Sequence, residues 1–400
     1  MSKIIYILLS YGIQGLNILL NLIFIQRLSP ILLGDIAIAK IWLQAFDYGH
    51  LGTRFALDRY LPITKAGQIQ KGFLYISLAV LSIMTIILIS IMLCIEKNNI
   101  IILIFVSIGI CLSYMNIFKA YYRAKGNIKK VNQLIFNCYF FPLLLSVIGL
   151  YYSFKVFLFI YPISFILMFL FMIRTPLKNI KPKEISLKKS KNRKLIMLIS
   201  MWNVSKLLLL HSVIMYLFLT IDRIFVDNYL GRESLGKYSV IMFVFASLFT
   251  VPSILTELIF PKIVYEVKNK RKIFFAKETA IVFSGTILAI IFTDIIMKWL
   301  LTYTEYSNLY DLMILCSLGI IPYSFTSIMY HIINALDLRK SLIISSTIIL
   351  IFYSISLYLL NILNINNLES IILVKVVFSF ILLIGYLLTI IIGIRRPINC

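Results

Sequence analysis

Residues 231–238 read GRESLGKY. Gly231, Gly236 and Lys237 stand at the spacing of the phosphate-cradling loop G-x-x-x-x-G-K-[ST], in which backbone N–H groups hold the phosphates and a hydroxyl holds magnesium. Tyr238 replaces that hydroxyl residue. A second set of residues offers different chemistry. Lys40, Gln44, Asp47, Arg54 and Asp58 recur at helical spacing inside an apolar stretch, with Leu51 filling the gap. Ser10, Gln14, Asn17 and Asn21 form a similar stripe before it, and Ser247, Thr250, Ser253 and Glu257 form one much later. Cations spaced seven residues from an acid sit about 10 Å apart on a regular helix. Such charges need partners on other helices, or an anionic ligand. His50, His211 and His331 stand singly, and the five cysteines include no C-x-x-C, so neither a metal site nor a disulfide framework is indicated.

The elements that carry these stripes are apolar throughout. The chain is 61% hydrophobic, with mean hydropathy +0.96, and only 14% charged. That composition cannot cover a water-facing surface, but it suits helices of about 20 apolar residues in lipid. Twelve spans are expected: 4–26, 33–57, 73–95, 99–118, 131–152, 156–173, 195–221, 236–258, 278–297, 311–333, 341–361 and 370–394. The first is read as a retained helix, because no small-residue cleavage site follows it. With the N-terminus inside, 29 of the 39 Lys and Arg fall on inner segments, as cytoplasmic loops require. Both termini are therefore expected in the cytoplasm. The net charge of +23 is concentrated there, above all in PLKNIKPKEISLKKSKNRK (176–194). No aromatic residues interleave that run, so it reads as a linker rather than a nucleic-acid patch. It divides the chain into a six-helix lobe (1–174), a basic cytoplasmic linker (175–194) and a second six-helix lobe (195–400).

The glycines then acquire a simpler meaning. Leu28, Leu33 and Gly34 fall on Leu230, Leu235 and Gly236 at a constant offset of 202 residues, and each stretch joins the first two spans of its half. They mark an internal repeat. A phosphate-cradling loop would also follow a strand, whereas a membrane helix precedes this one. ATP is not expected. Six spans per half insert both halves the same way up, so the expected fold is all-α, with two lobes related by a pseudo-two-fold axis along the membrane normal.

Residues 24–34 (FIQRLSPILLG) and 219–238 (LTIDRIFVDNYLGRESLGKY) resemble the Wzx-type polysaccharide flippases of the multidrug/oligosaccharidyl-lipid/polysaccharide exporter superfamily. Asp222-Arg223, Leu230-Gly231 and Leu235-Gly236-x-Tyr238-Ser239 carry most of the likeness. The resemblance implies a transporter rather than an enzyme, in a bacterial inner membrane. It implies movement of undecaprenyl-pyrophosphate-linked oligosaccharide repeat units, as in O-antigen or lipopolysaccharide biosynthesis, to the periplasmic leaflet. A polysaccharide polymerase and a chain-length regulator are the implied partners.

A charge at the bilayer centre costs about 2.5–3.5 kcal/mol on insertion scales, so the stripes are expected to face an interior or a wet cavity. On this reading Lys40, Arg54 and Lys206 hold the pyrophosphate, and Gln14, Asn17, Asn21 and Gln44 contact sugars. Asp47 or Glu257 couples transport to H+ or Na+, unless membrane potential alone drives it. Interior polar groups also glue helices together, and that accounts equally for the Ser10–Asn21 stripe. Lys206 and Lys375 either snorkel or pair with acids. Asp222, Arg223 and Asp227 are expected to form a local salt-bridged turn. Two rival functions stand beside this one. A drug or metabolite exporter would favour an acidic cavity. A membrane polysaccharide polymerase would need longer outer loops or a D-x-D site, which the chain lacks.

Overall fold

Lipid offers no water to backbone N–H and C=O groups, so a chain this apolar closes its hydrogen bonds within each segment. The computed structural model describes residues 2–61, 67–96, 99–178, 191–270, 274–301 and 304–395, and every regular element among them is helical. In the first half these are α1 (Ser2–Arg27), α2 (Pro30–Asp47), α3 (Thr53–Tyr60), α4 (Gly67–Ile95), α5 (Ile100–Ala124), α6 (Ile128–Ile135), α7 (Phe141–Tyr152) and α8 (Phe154–Lys178). The second half holds α9 (Lys191–Lys270), α10 (Ala276–Leu301), α11 (Tyr310–Leu318), α12 (Ile321–Ala335), α13 (Arg339–Ile362) and α14 (Leu368–Arg395). Most of the basic linker lies outside the described residues.

Ten segments among the described residues are long and apolar enough to cross a membrane. This differs from the expected twelve at two places. Residues 33–57 do not form one helix, because α2 stops at Asp47 and a short 3-10 turn, Tyr48–His50, precedes α3. Residues 205–253 form one segment of 49 residues. At about 1.5 Å per residue that is more than twice the hydrocarbon thickness of a bilayer, so it must turn back. The turn is Gly231, at φ 83° and ψ 174°, inside the otherwise helical α9.

Residues 1–27 and 38–209 pack into one compact unit, and residues 28–37 and 210–400 into another. In the first, α5 packs against α3, α4 and α8, while α1 lies along α6 and α7. Its core includes Leu57, Phe118, Val131, Leu134 and Met201, all at most 2% exposed. Between α6 and α7 the helix widens to a π-turn over Phe136–Phe140, with Phe141 N–H bonded to Phe136 O. Pro142 follows at once and cannot continue an α-helical ladder, which accounts for the widening. Asn99 caps α5 by accepting from the N–H groups of Ile101 and Ile102, at 3.0 and 3.5 Å. Asn99→Ala should therefore lower the unfolding free energy by about 1 kcal/mol in a detergent melt.

In the second unit α14 packs against α11, α12 and α13, and α10 against α12. Residues 28–37 join it through the repeat. A Cβ on Gly34 would stand 2.2 Å from Arg232 O, and one on Gly236 would stand 1.7 Å from Pro30 O. Pro30 and Arg232 are themselves equivalent at the 202-residue offset, so the contact is reciprocal. Arg232 Nε also bridges Asp35 Oδ1 at 3.5 Å and Asp227 Oδ1 at 3.3 Å. Tyr306 donates to Leu28 O at 2.9 Å, and burial pushes its hydroxyl pKa up.

Candidate functional site

The break after α2 builds the site in the first unit. Leu51 and Gly52 both take positive φ, 43° and 80°. Gly52 N–H donates to His50 Nδ1 at 2.8 Å, and Thr53 Oγ1 donates to His50 O at 2.7 Å, so buried His50 splints the turn. The turn shortens the path between Asp47 and Arg54. Arg54 Nη1 reaches both carboxylate oxygens of Asp47, each at 2.9 Å. This corrects the expectation that charges seven residues apart could not pair: it assumed a continuous helix, and the left-handed Leu51 and Gly52 interrupt it. Asp58 leaves the stripe as well, bonding Arg123 Nη2 on α5 at 2.5 Å.

Asp47 is held from a second side. Asn116 Nδ2 on α5 donates to Asp47 Oδ1 at 2.8 Å, and Tyr139 OH donates to Asn116 Oδ1 at 2.8 Å. Tyr139 lies within the π-turn, a type of irregularity often found at functional sites. Neither Asn116 nor Tyr139 stood out in the sequence. The signal present was Pro142, which marks the helix as irregular just after Tyr139.

Lys40 lies one turn and more before this pair. Its Nζ donates to Asn21 Oδ1 and sits over the Phe24 ring at 5.4 Å. Asn21 in turn donates to Asn17 O at 2.7 Å on its own helix, so of the α1 stripe Asn21 is the member shown to meet α2. Ser10 bonds back to Tyr6 O at 2.8 Å. Gln14 and Gln44 are exposed. Lys206 is exposed too and donates to Asn203 Oδ1 at 3.2 Å on its own helix. The later stripe is satisfied locally, Ser247 by Phe243 O at 2.9 Å and Thr250 by Ser247 O at 2.6 Å. The Glu257 side chain lies outside the described residues.

The Asp47–Arg54 pair is not sealed. Its side chains retain 34% and 23% exposure. Lys40 stands about 10 Å before Asp47 along α2, so the stretch as a whole carries two basic residues and one acid. It can attract an anion while Asp47 keeps the guanidinium oriented.

The second unit does the opposite. Asp222 and Lys375, 153 residues apart, form an ion pair with 0% exposure on both side chains. Tyr238 OH donates to the same Asp222 oxygen at 2.5 Å, and the ammonium lies over Phe245 at 5.4 Å. The expected local turn is therefore corrected for Asp222, which reaches α14 instead. Asp227 does make the local bridge, to Arg232. The physical reason is helix phase. Asp222 sits on the face of α9 that packs inward, where Lys375 of α14 meets it. Among the described residues no group of three or more His, Cys, Asp or Glu could hold a metal ion.

No protein-family model matches this sequence. No curated protein matches it either. Solved structures do. An inward-facing multidrug resistance MATE family transporter of the MOP superfamily superposes with TM-score 0.64 at 15% identity, over 95% of this chain and 94% of that one. Lipid II flippase MurJ in an inward closed conformation also gives 0.64 at 15% identity, over 97% of this chain and 87% of that one. An outward-facing MATE family transporter of the MOP superfamily gives 0.60 at 12% identity, over 98% and 96%. Their shared architecture spans nearly the whole of each chain. This protein is therefore an all-helical membrane protein with the fold of the MOP-superfamily transporters.

Proposed function

We propose that the protein is a flippase for lipid-linked oligosaccharides, moving undecaprenyl-pyrophosphate-linked repeat units of a surface polysaccharide from the cytoplasmic to the periplasmic leaflet by alternating access. It would sit in a bacterial inner membrane with both termini cytoplasmic. The observation that carries this reading is the contrast between the two charged groups. The pair in the second unit is wholly sealed, whereas Lys40, Asp47 and Arg54, two basic residues and one acidic, keep partly exposed side chains. Exposed charge at membrane depth is costly unless it serves a ligand or pathway. A pyrophosphate is the anion that the motif resemblance supplies, and amides such as Asn17 and Gln44 suit sugar hydroxyls. Lipid II flippase among the fold neighbours favours a lipid-linked substrate.

In this mechanism Arg54 and Lys40 receive the pyrophosphate, and Asp47 gives up part of its hold on Arg54 as the anion arrives. Asp47 is then free to take a proton or cation, which couples the two events. The test is reconstitution with a fluorescent undecaprenyl-pyrophosphate oligosaccharide and an impermeant quencher. Wild type should move the label between leaflets, and Arg54→Glu should slow it at least tenfold, the equivalent of about 1.4 kcal/mol. Lys40→Glu should do the same. Both variants should remain folded, because neither side chain is sealed: Arg54 retains 23% exposure and Lys40 is half-buried. Full flipping in both would remove these residues from the site, and export of organic cations instead would favour a drug exporter.

A further inference from the structure

Residues 119–130, KAYYRAKGNIKK, hold five basic residues and no acid. They form the turn between Ile100–Ala124 and Ile128–Tyr152, two segments of 25 residues that are each long and apolar enough to cross a membrane. At about 1.5 Å per residue each outruns a hydrocarbon core of about 30 Å, so the turn stands at headgroup level. Arg123 is engaged within the unit, by Asp58 of α3 and Tyr6 of α1. The lysines are held differently. Lys125 Nζ lies over the Tyr121 ring at 4.4 Å and bonds its hydroxyl at 2.5 Å. Lys130 Nζ reaches from α6 to α5 and lies over Tyr122 at 5.1 Å. An aromatic ring orients an ammonium without cancelling its charge. Both rings are buried, while Lys125, Lys129 and Lys130 are exposed.

Charge alone would suit any basic loop. Here an apolar strip continues beneath it. From Lys129 the exposed face of α6 runs at helical spacing through Gln133 to Phe136, with Phe140 next in line. Within the π-turn Phe136 and Phe140 stack, with centroids 5.7 Å apart and planes at 17°. Phe136 is 45% exposed, and Phe140 packs on α1, where a Cβ on Gly12 would stand 2.9 Å from Phe140 Cε2. Seven residues separate Lys129 from Phe136, about 10 Å along the axis, which is the order of depth of one headgroup layer. We propose that the α5–α6 hairpin binds an anionic phospholipid of the surrounding membrane, its phosphate held by Lys125, Lys129 and Lys130 and an acyl chain laid along Phe136. A soluble anion or an acidic protein would use the charges and leave the aromatic strip idle. A zwitterionic lipid would match the strip but bring its own cation against the lysines. The inference rests on the membrane fold and not on what the protein carries, so it fails separately from the flipping assay.

The experiment is native mass spectrometry of the purified full chain in detergent, with phosphatidylglycerol and phosphatidylcholine at equal concentration. Wild type should retain phosphatidylglycerol about tenfold over phosphatidylcholine, because each cation near an anionic headgroup adds to the attraction. Lys125→Gln, Lys129→Gln and Lys130→Gln together should abolish that preference. Lys129→Glu alone disturbs neither ring contact and should cut it severalfold, which decides the matter should the triple variant melt below wild type. Phe136→Ser should weaken retention of both lipids. Equal retention of the two lipids by wild type would overturn the proposal, as would an unchanged preference in Lys129→Glu or unchanged retention in Phe136→Ser. Tighter retention of undecaprenyl phosphate than of phosphatidylglycerol would overturn it too, assigning the patch to a polyprenyl substrate.

Discussion

Lys375→Met alone should lower the unfolding free energy by about 3–5 kcal/mol, the cost of leaving one partner of a buried ion pair uncompensated. The Asp222 carboxylate would keep neutral donors, Tyr238 OH and the backbone N–H of Arg223 at 2.5 and 2.9 Å, with the Tyr353 hydroxyl beside it. None carries charge, and no solvent reaches the site. Against a total stability on the order of 5–15 kcal/mol, the loss is large enough to reduce yield as well as melting temperature. Restoring neutrality with Asp222→Asn in the same chain should recover most of it. A thermal melt in detergent of the single and double variants measures both. A single variant that melts with wild type would mean that Asp222 is not ionised against Lys375 in the folded protein.

Gly236→Ala should be nearly as damaging, for a steric reason. The new methyl carbon would lie 1.7 Å from Pro30 O, and that obstacle is backbone rather than the end of a flexible side chain. The strand of chain carrying Pro30 must retreat, taking with it the Arg232 bridge to Asp35 and the Tyr306 bond to Leu28 O. Overpacking of this kind costs about 1–3 kcal/mol, and more where it breaks other contacts. Gly34→Ala meets Arg232 O at 2.2 Å and should behave alike. Gly231→Ala separates the two causes. Nothing lies within 4 Å of that position, but its φ of 83° places a left-handed conformation on alanine. With ψ at 174° that conformation is open essentially to glycine alone, so the change should cost about 1–3 kcal/mol with the contact intact. Hydrogen exchange followed over residues 28–37 would report whether the contact survives in each variant.

The membrane class was legible because it depends on composition and run length, which need no knowledge of packing. The repeat was legible because Leu28, Leu33 and Gly34 keep their spacing. The break at residues 48–52 was not. Periodicity counts polar residues at helical intervals, and Lys40, Gln44 and Asp47 satisfied it right up to the break. In the periodicity Leu51 is the apolar filler of a stripe, while in the structure it is one of two left-handed residues that end the helix. The glycines at 49 and 52 were the available warning. Everything downstream follows from that one misreading: the Asp47–Arg54 pair, and the transfer of Asp58 to Arg123. Asn116 and Tyr139 were hidden differently. A lone asparagine or tyrosine in an apolar helix has no pattern, and its partner is set by helix phase across sequence separations of 69 and 23 residues. Lys375 was visible as a charge in lipid, but Asp222 could be matched to it only once α9 and α14 were packed.

Pro30 against Gly236 and Arg232 against Gly34 is the arrangement that two copies of one surface adopt when they meet about a two-fold axis. A surface that meets its own repeat in this way makes each hairpin the template for the other, so a change on one side is felt twice. The symmetry is incomplete: Arg232 bridges Asp35 and Asp227, while Pro30, its equivalent, can form no such bridge.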